Sequence, residues 1–133
     1  MSRKEERRAA AFLLYQRDLL DSPFSELYDA YERDNGAPVS AFSREQAEGA
    51  WEGRGDLDRL IDSAAAGWSA DRMAVLERNV LRLAVYELRT GGVPPAVAID
   101  EAVSLAKRYA SPEAASLVNG ILGSIARTEG GGT

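Results

Sequence analysis

The sequence predicts an all-α protein of six to seven helices, and three observations carry that prediction. Apolar residues recur three and four apart through most of the chain. Clusters of Gly, Pro, Asn and Ser cut it into pieces of helix length. No stretch shows the strict alternation of a half-buried strand, and no hairpin dipeptide lies between strand-like flanks. The 133 residues suit one domain, expected over 1–128, with a flexible Gly-rich tail over 129–133.

The first helix is expected from about Arg3 to Leu20, with Ala9, Phe12, Leu13, Leu19 and Leu20 on one broad apolar face. Asp21-Ser22-Pro23 reads as a stop and a fresh start, because Ser caps helices that begin with Pro. A second helix follows to about Arg33, carrying Phe24, Leu27, Tyr28 and Tyr31 at helical spacing, and Asp34 to Pro38 ends it with turn chemistry. Ser43 is read as the cap of a third helix, with Glu45-Gln46 behind it in a near capping box. Gly49, Gly53 and Gly55 should weaken or break that helix before it resumes at Leu57 and ends near Gly67.

Ser69 is read as the next cap. The run from Val75 to Leu88 is apolar on most faces, with a thin polar stripe of Glu77, Arg78, Arg82 and Glu87, so this helix belongs at the centre of the fold. Gly91-Gly92-Val93-Pro94-Pro95 is a hard break that places Pro95 in the first turn of a helix reaching about Tyr109. That helix should bury Ile99, Ala102, Val103 and Ala106. Ser111-Pro112-Glu113 opens the last helix, with Leu117, Val118, Ile121, Leu122 and Ile125 inward. Asn119-Gly120 is an odd choice inside it, read as a half-buried Asn seeking partners beside a Gly that allows close backbone approach.

Composition removes the common chemistries. With no His and no Cys, the chain has no imidazole base, no thiol nucleophile, no disulfide and no thiolate metal site. No phosphate loop of the GxxxxGK[ST] type occurs, and paired carboxylates such as Asp56 with Asp58 or Asp100 with Glu101 read as solvated faces. We therefore expect a non-enzyme with no catalytic residue, no metal and no cofactor. The lack of Cys and of any long apolar run points to a cytoplasmic protein without a membrane segment.

The net charge of −5 would ordinarily argue against a nucleic-acid partner, but it is unevenly distributed. Residues 1–17 carry five basic and two acidic side chains, residues 18–58 three basic and eleven acidic, and residues 59–133 eight of each. The head is thus +3 and the middle −8. Arg3, Lys4, Arg7 and Arg8 sit three and four apart on the first helix, with Tyr15 two turns on. Cations beside an aromatic ring suit single-stranded RNA, whose phosphates pair with the cations while a base stacks on the ring. The competing reading is a solvated helix start, partly neutralised by Glu5 and Glu6. Lys107 and Arg108, with Tyr109, would extend the surface if the two helix ends meet. Charge reversal at Arg7 and Arg8 is the test this arrangement suggests.

The C-terminal half carries a resemblance. Leu81 to Leu88 (LRLAVYEL), Val93-Pro94, Ala98 to Tyr109 (AIDEAVSLAKRY) and Val118 to Leu122 (VNGIL) resemble the signature of the NusB family of bacterial transcription antitermination factors. The start, RRAAAFLLYQ, is similar to the family's arginine-rich opening running into LYQ. Three departures stand out: Glu5 and Glu6 interrupt the arginine run, Leu117 stands where a Phe is usual, and Arg8 stands where an acidic residue is common.

The resemblance implies two stacked helical bundles without enzymatic activity. It implies binding of boxA-type single-stranded RNA together with the ribosomal protein NusE, the pair joining the elongating RNA polymerase to support transcription of ribosomal RNA operons. By position, Arg7, Tyr15, Lys107, Glu113 and Asn119 fall where the family places RNA contacts, and Glu77 falls on the helix used around the partner surface. Some family members are dimers and others monomers, so a homodimer stays open. The alternatives are a structural dimerisation or inhibitory adaptor, and a substrate-binding module like the one preceding the catalytic domain of some ribosomal RNA cytosine methyltransferases. No cofactor-binding βα unit is read within these 133 residues, the feature expected to discriminate the last alternative.

Overall fold

A computed structural model describes residues 2–129. Seven α-helices and one 3-10 turn make up the ordered elements: α1 (Arg3–Leu20), α2 (Phe24–Asn35), α3 (Ala41–Glu52), α4 (Arg54–Ala64), the turn Ala70–Arg72, α5 (Val75–Thr90), α6 (Pro95–Tyr109) and α7 (Pro112–Glu129). Among the described residues there is no strand. The all-α expectation and the count of helices agree with this. Of the expected tail, residues 130–133 lie outside the described residues, and Glu129 closes α7.

Two bundles share α5. Helices α1, α2 and α3 pack together, α4, α6 and α7 pack together, and α5 touches α1 and α3 on one side and α4, α6 and α7 on the other. The sequence dictates this central place, because Asn79 to Val85 are buried without interruption. The core around it holds Leu13 and Leu14 of α1, Ile61 of α4, Leu81 and Val85 of α5, and Val118, Leu122 and Ile125 of α7.

The stops fall where glycine and proline put them. Gly53 separates α3 from α4, Gly91 closes α5 in the left-handed region (φ 70°), and Pro95 opens α6. Other expectations are corrected. Ser40, not Ser43, caps α3: its Oγ accepts from the Ser43 N–H at 3.1 Å, while the buried Ser43 hydroxyl donates to the Glu6 carbonyl at 2.8 Å and ties α3 to α1. The residue at the cap position of α2 is Pro23, with no side-chain cap. Leu19 and Leu20 are exposed rather than core, in the last turn of α1 just after Asp18. Asn119 and Gly120 are also exposed, and a methyl group at Gly120 would meet no atom within 4 Å. The glycine that permits close approach is Gly49, where a methyl group would lie 2.6 Å from Cε1 of Tyr86.

The polar stripe of α5 is the largest correction. Arg82, Glu87 and Asn79 are buried, and they are satisfied by partners distant in sequence. Arg82 donates to both oxygens of Asp58, each at 2.7 Å, and to Asp18 Oδ2 at 3.0 Å. Asp18 Oδ2 also accepts from Arg78 Nη2 at 2.7 Å and Asn79 Nδ2 at 2.9 Å. Asp58 is therefore not on a solvated face but part of a network that pins the end of α1 and the middle of α4 to α5.

Candidate nucleic-acid interface

Four of the five basic residues of the head, Arg3, Lys4, Arg7 and Arg8, divide into two pairs. Ser2 caps α1 in a capping box with Glu5, which fixes where the first turn points. Arg3 then reaches toward α3, pairing with Glu6 at 3.2 Å and lying 3.9 Å over the Phe42 ring. Arg7 turns inward: its Nε donates to both carboxylate oxygens of Glu87 at 3.0 Å, and both side chains are over nine-tenths buried. Arg7 is thus corrected from a surface cation to an internal tie between α1 and α5.

Lys4 and Arg8 face the other way, toward the end of α6. There Arg8 Nη1 donates to the Tyr109 hydroxyl at 3.4 Å, and Arg108 lies 5.3 Å from the Tyr109 ring centre. Phe12, one turn beyond Arg8, meets Tyr109 edge-on at 4.9 Å. The two helix ends do meet, as the surface required. Lys4, Arg8, Ser104, Arg108 and Tyr109 line an open groove of about 350 Å³. Glu5 and Glu101 also line it, so its cations exceed its carboxylates by one. The Glu5 carboxyl is held below the ordinary carboxylate range by hydrogen bonds from the Ser2 hydroxyl and N–H, so it stays ionised.

Other expected residues lie around this groove. Lys107 is exposed in the last turn of α6 and, like Lys4, makes no ion pair among the described residues. Glu113 is exposed in the first turn of α7, just across the α6–α7 turn. Asn119 is exposed further along α7 and lines no part of the groove. Tyr15 is half-buried on α1 and also outside the groove; the ring that lines it is Tyr109, backed edge-on by Phe12. Sequence reasoning set Phe12 in the core and used Tyr109 only as a companion of Lys107-Arg108. Its position four residues after Arg8, on the same helix face, was the signal available for Phe12. Glu77 is half-buried in the first turn of α5, beside Arg78 of the Asp18 network.

Among the described residues no group of acidic side chains is arranged to hold a metal, and no helix is long and apolar enough to cross a membrane. The arrangement can pair phosphates with three cations and offer an aromatic face beside them.

The NusB family model matches residues 4–127, nearly the whole chain. The chain belongs to the NusB family. Relatives called transcription antitermination protein NusB include one from Symbiobacterium thermophilum, 39% identical over 96% of this chain and 90% of its own length. Another, from Thermobifida fusca, is 37% identical over 91% and 86%. Among solved structures, NusB of T. maritima aligns with TM-score 0.77 and 34% identity, covering 96% of this chain and 92% of that one. A chain from the crystal structure of antitermination factors NusB and NusE with double-stranded RNA aligns at TM-score 0.82 and 28% identity, covering 96% and 99%. A chain from the crystal structure of a plectonemic RNA supercoil aligns at 0.86 with 30% identity, covering 96% and 95%. The two-bundle NusB fold expected from the C-terminal signature is the fold observed.

Proposed function

We propose that this chain is a transcription antitermination factor that binds boxA-type single-stranded RNA together with the ribosomal protein NusE. The pair then joins the RNA polymerase elongation complex through NusE and RNA, in the cytoplasm, without enzymatic activity. The observation that carries the reading is the meeting of Lys4, Arg8 and Arg108 around Tyr109, where two helix ends distant in sequence converge. Guanidinium and ammonium groups pair with phosphates, and an exposed tyrosine offers its ring to an unstacked base. Lys107, Glu113 and Asn119 would extend the contact along the α6–α7 turn.

Membership of the NusB family supports the same reading, as does similarity to a NusB chain solved with NusE and RNA. The acidic middle of the sequence gives the complementary surface. Asp18 and Asp58 are consumed internally, but Asp29, Glu32, Glu45 and Glu52 stay exposed on α2 and α3 and attract a basic partner. Glu77 at the start of α5 marks the helix that NusE would contact. Titration of a labelled boxA-like RNA, with and without NusE, tests the proposal. Binding that tightens when NusE is added is the expected result, and no binding under either condition would overturn it.

A further inference from the structure

Of the two glutamates that interrupt the basic head, only one faces the proposed RNA path. Glu6 turns toward α3 and pairs with Arg3 at 3.2 Å, beside the Phe42 ring. Glu5 turns the other way and lines the groove with Lys4, Arg8 and Arg108. It also lines, with Arg8 and Tyr109, a second recess of about 440 Å³ that opens toward Tyr31 of α2. Both hollows that Arg8 borders therefore hold the Glu5 carboxylate as well. Glu101, the groove's other carboxylate, lines only the first.

The Glu5 charge is held in place. Its Oε1 accepts from the Ser2 hydroxyl at 3.0 Å and from the Ser2 N–H at 3.4 Å, while its own N–H donates to Ser2 Oγ at 3.1 Å. Those bonds, with a smaller contribution from the charge of Arg8, keep the carboxyl ionised. Arg8 stands one turn further along α1, and its Nη1 is taken by the Tyr109 hydroxyl rather than by Glu5. The two charges are thus neighbours on one helix edge without closing an ion pair. A phosphate arriving at Arg8 meets the field of Glu5 at the same place. We infer that Glu5 is a built-in brake on RNA binding, a carboxylate that opposes phosphate at Arg8 and keeps the chain's own hold on RNA weak. This inference rests on the RNA-binding reading above and adds to it a residue that sets affinity.

The test titrates a labelled boxA-like RNA with the chain alone at low salt. Glu5→Gln, at an exposed position, keeps an acceptor for Ser2 and removes the charge. The groove's excess of cations over carboxylates then rises from one to two. Binding should tighten by about three- to fivefold, the effect of one unit charge ~4–6 Å away in water. The gain should shrink as salt is raised, since exposed charges are screened beyond about 10 Å at 0.1 M. Glu6→Gln makes the same change in net charge on the other side of α1 and should leave affinity where it was. In an Arg8→Ala background most of the Glu5→Gln gain should disappear. Circular dichroism should show equal helicity throughout. If Glu5→Gln binds no tighter, if Glu6→Gln tightens binding as much, or if the gain survives Arg8→Ala in full, the brake is refuted while the RNA-binding reading stands. If neither the unmodified protein nor any variant binds the RNA at low salt, both fall.

Discussion

Arg7 Nε lies 3.0 Å from both carboxylate oxygens of Glu87, eighty residues away in sequence, and the pair is sealed between α1 and α5. A buried ion pair of this kind contributes little beyond a well-packed apolar pair, but losing one partner strands a charge. Glu87→Ala should therefore cost about 3–5 kcal/mol in urea unfolding. Arg7→Met with Glu87→Met should cost much less than the sum of the single changes. Arg7→Glu would bury two facing carboxylates and lower stability, so its effect on RNA cannot be read as a lost phosphate contact.

Lys4, Arg8 and Arg108 are the cations that remain on the groove. Each that contacts a phosphate of single-stranded RNA adds roughly 0.7 to the steepness with which log affinity falls against log salt. Single replacements by Ala should each flatten the slope by about that amount. Arg3→Ala should leave the slope unchanged, since Arg3 is held by Glu6 and Phe42. Affinity measured across a salt series checks both statements.

Much of this was legible in the sequence, and the illegible part has one physical cause. Gly53, Gly91, Pro95 and Pro112 announced the helix boundaries because their backbone restrictions act locally. The meeting of the α1 start with the α6 end depends on how the helices cross, so the residues could pose it only as a condition. Periodicity assigns polar residues to solvent, so Arg7, Arg82 and Glu87 read as surface; their partners stand 80, 24 and 80 residues away. Leu19 and Leu20 failed in the opposite sense, apolar by type but exposed in the last turn of α1.

Asp18 supplies a pH dependence. Burial pushes its carboxyl up, but hydrogen bonds from Asn79 and Arg78 and the charge of Arg82 outweigh it, and the net shift is downward from 3.8. The unfolded chain then binds the proton more readily, so this stabilisation is complete above about pH 4 and disappears as pH falls through the folded value. Asp18→Asn should lower Tm at neutral pH, and the gap to the unmodified protein should close as the buffer is taken below pH 4. A gap that stayed constant would show that the Asp18 charge is not what binds α1 to α5.

Gly49 tests the α3–α5 contact. Tyr86 lies over it with its hydroxyl bonded to Glu45, a bond that with burial pushes the phenol up to about 12. Gly49→Ala improves helix propensity by about 1 kcal/mol, but the new methyl collides with the ring, an overpacking cost of about 1–3 kcal/mol. The net effect should be a lower unfolding midpoint. In a Tyr86→Ala background the same change should become stabilising, since only the propensity gain is left.

That RNA lies in the groove between the start of α1 and the end of α6 is the point on which the proposed function turns. Titrating boxA-like RNA in the presence of NusE against a variant with Lys4, Arg8 and Arg108 all changed to Ala tests it. Circular dichroism should show helicity preserved, since none of the three makes a buried ion pair among the described residues. Affinity should fall on the order of a hundredfold or more. A variant that keeps its helicity and binds the RNA as tightly as the unmodified protein would place the RNA elsewhere.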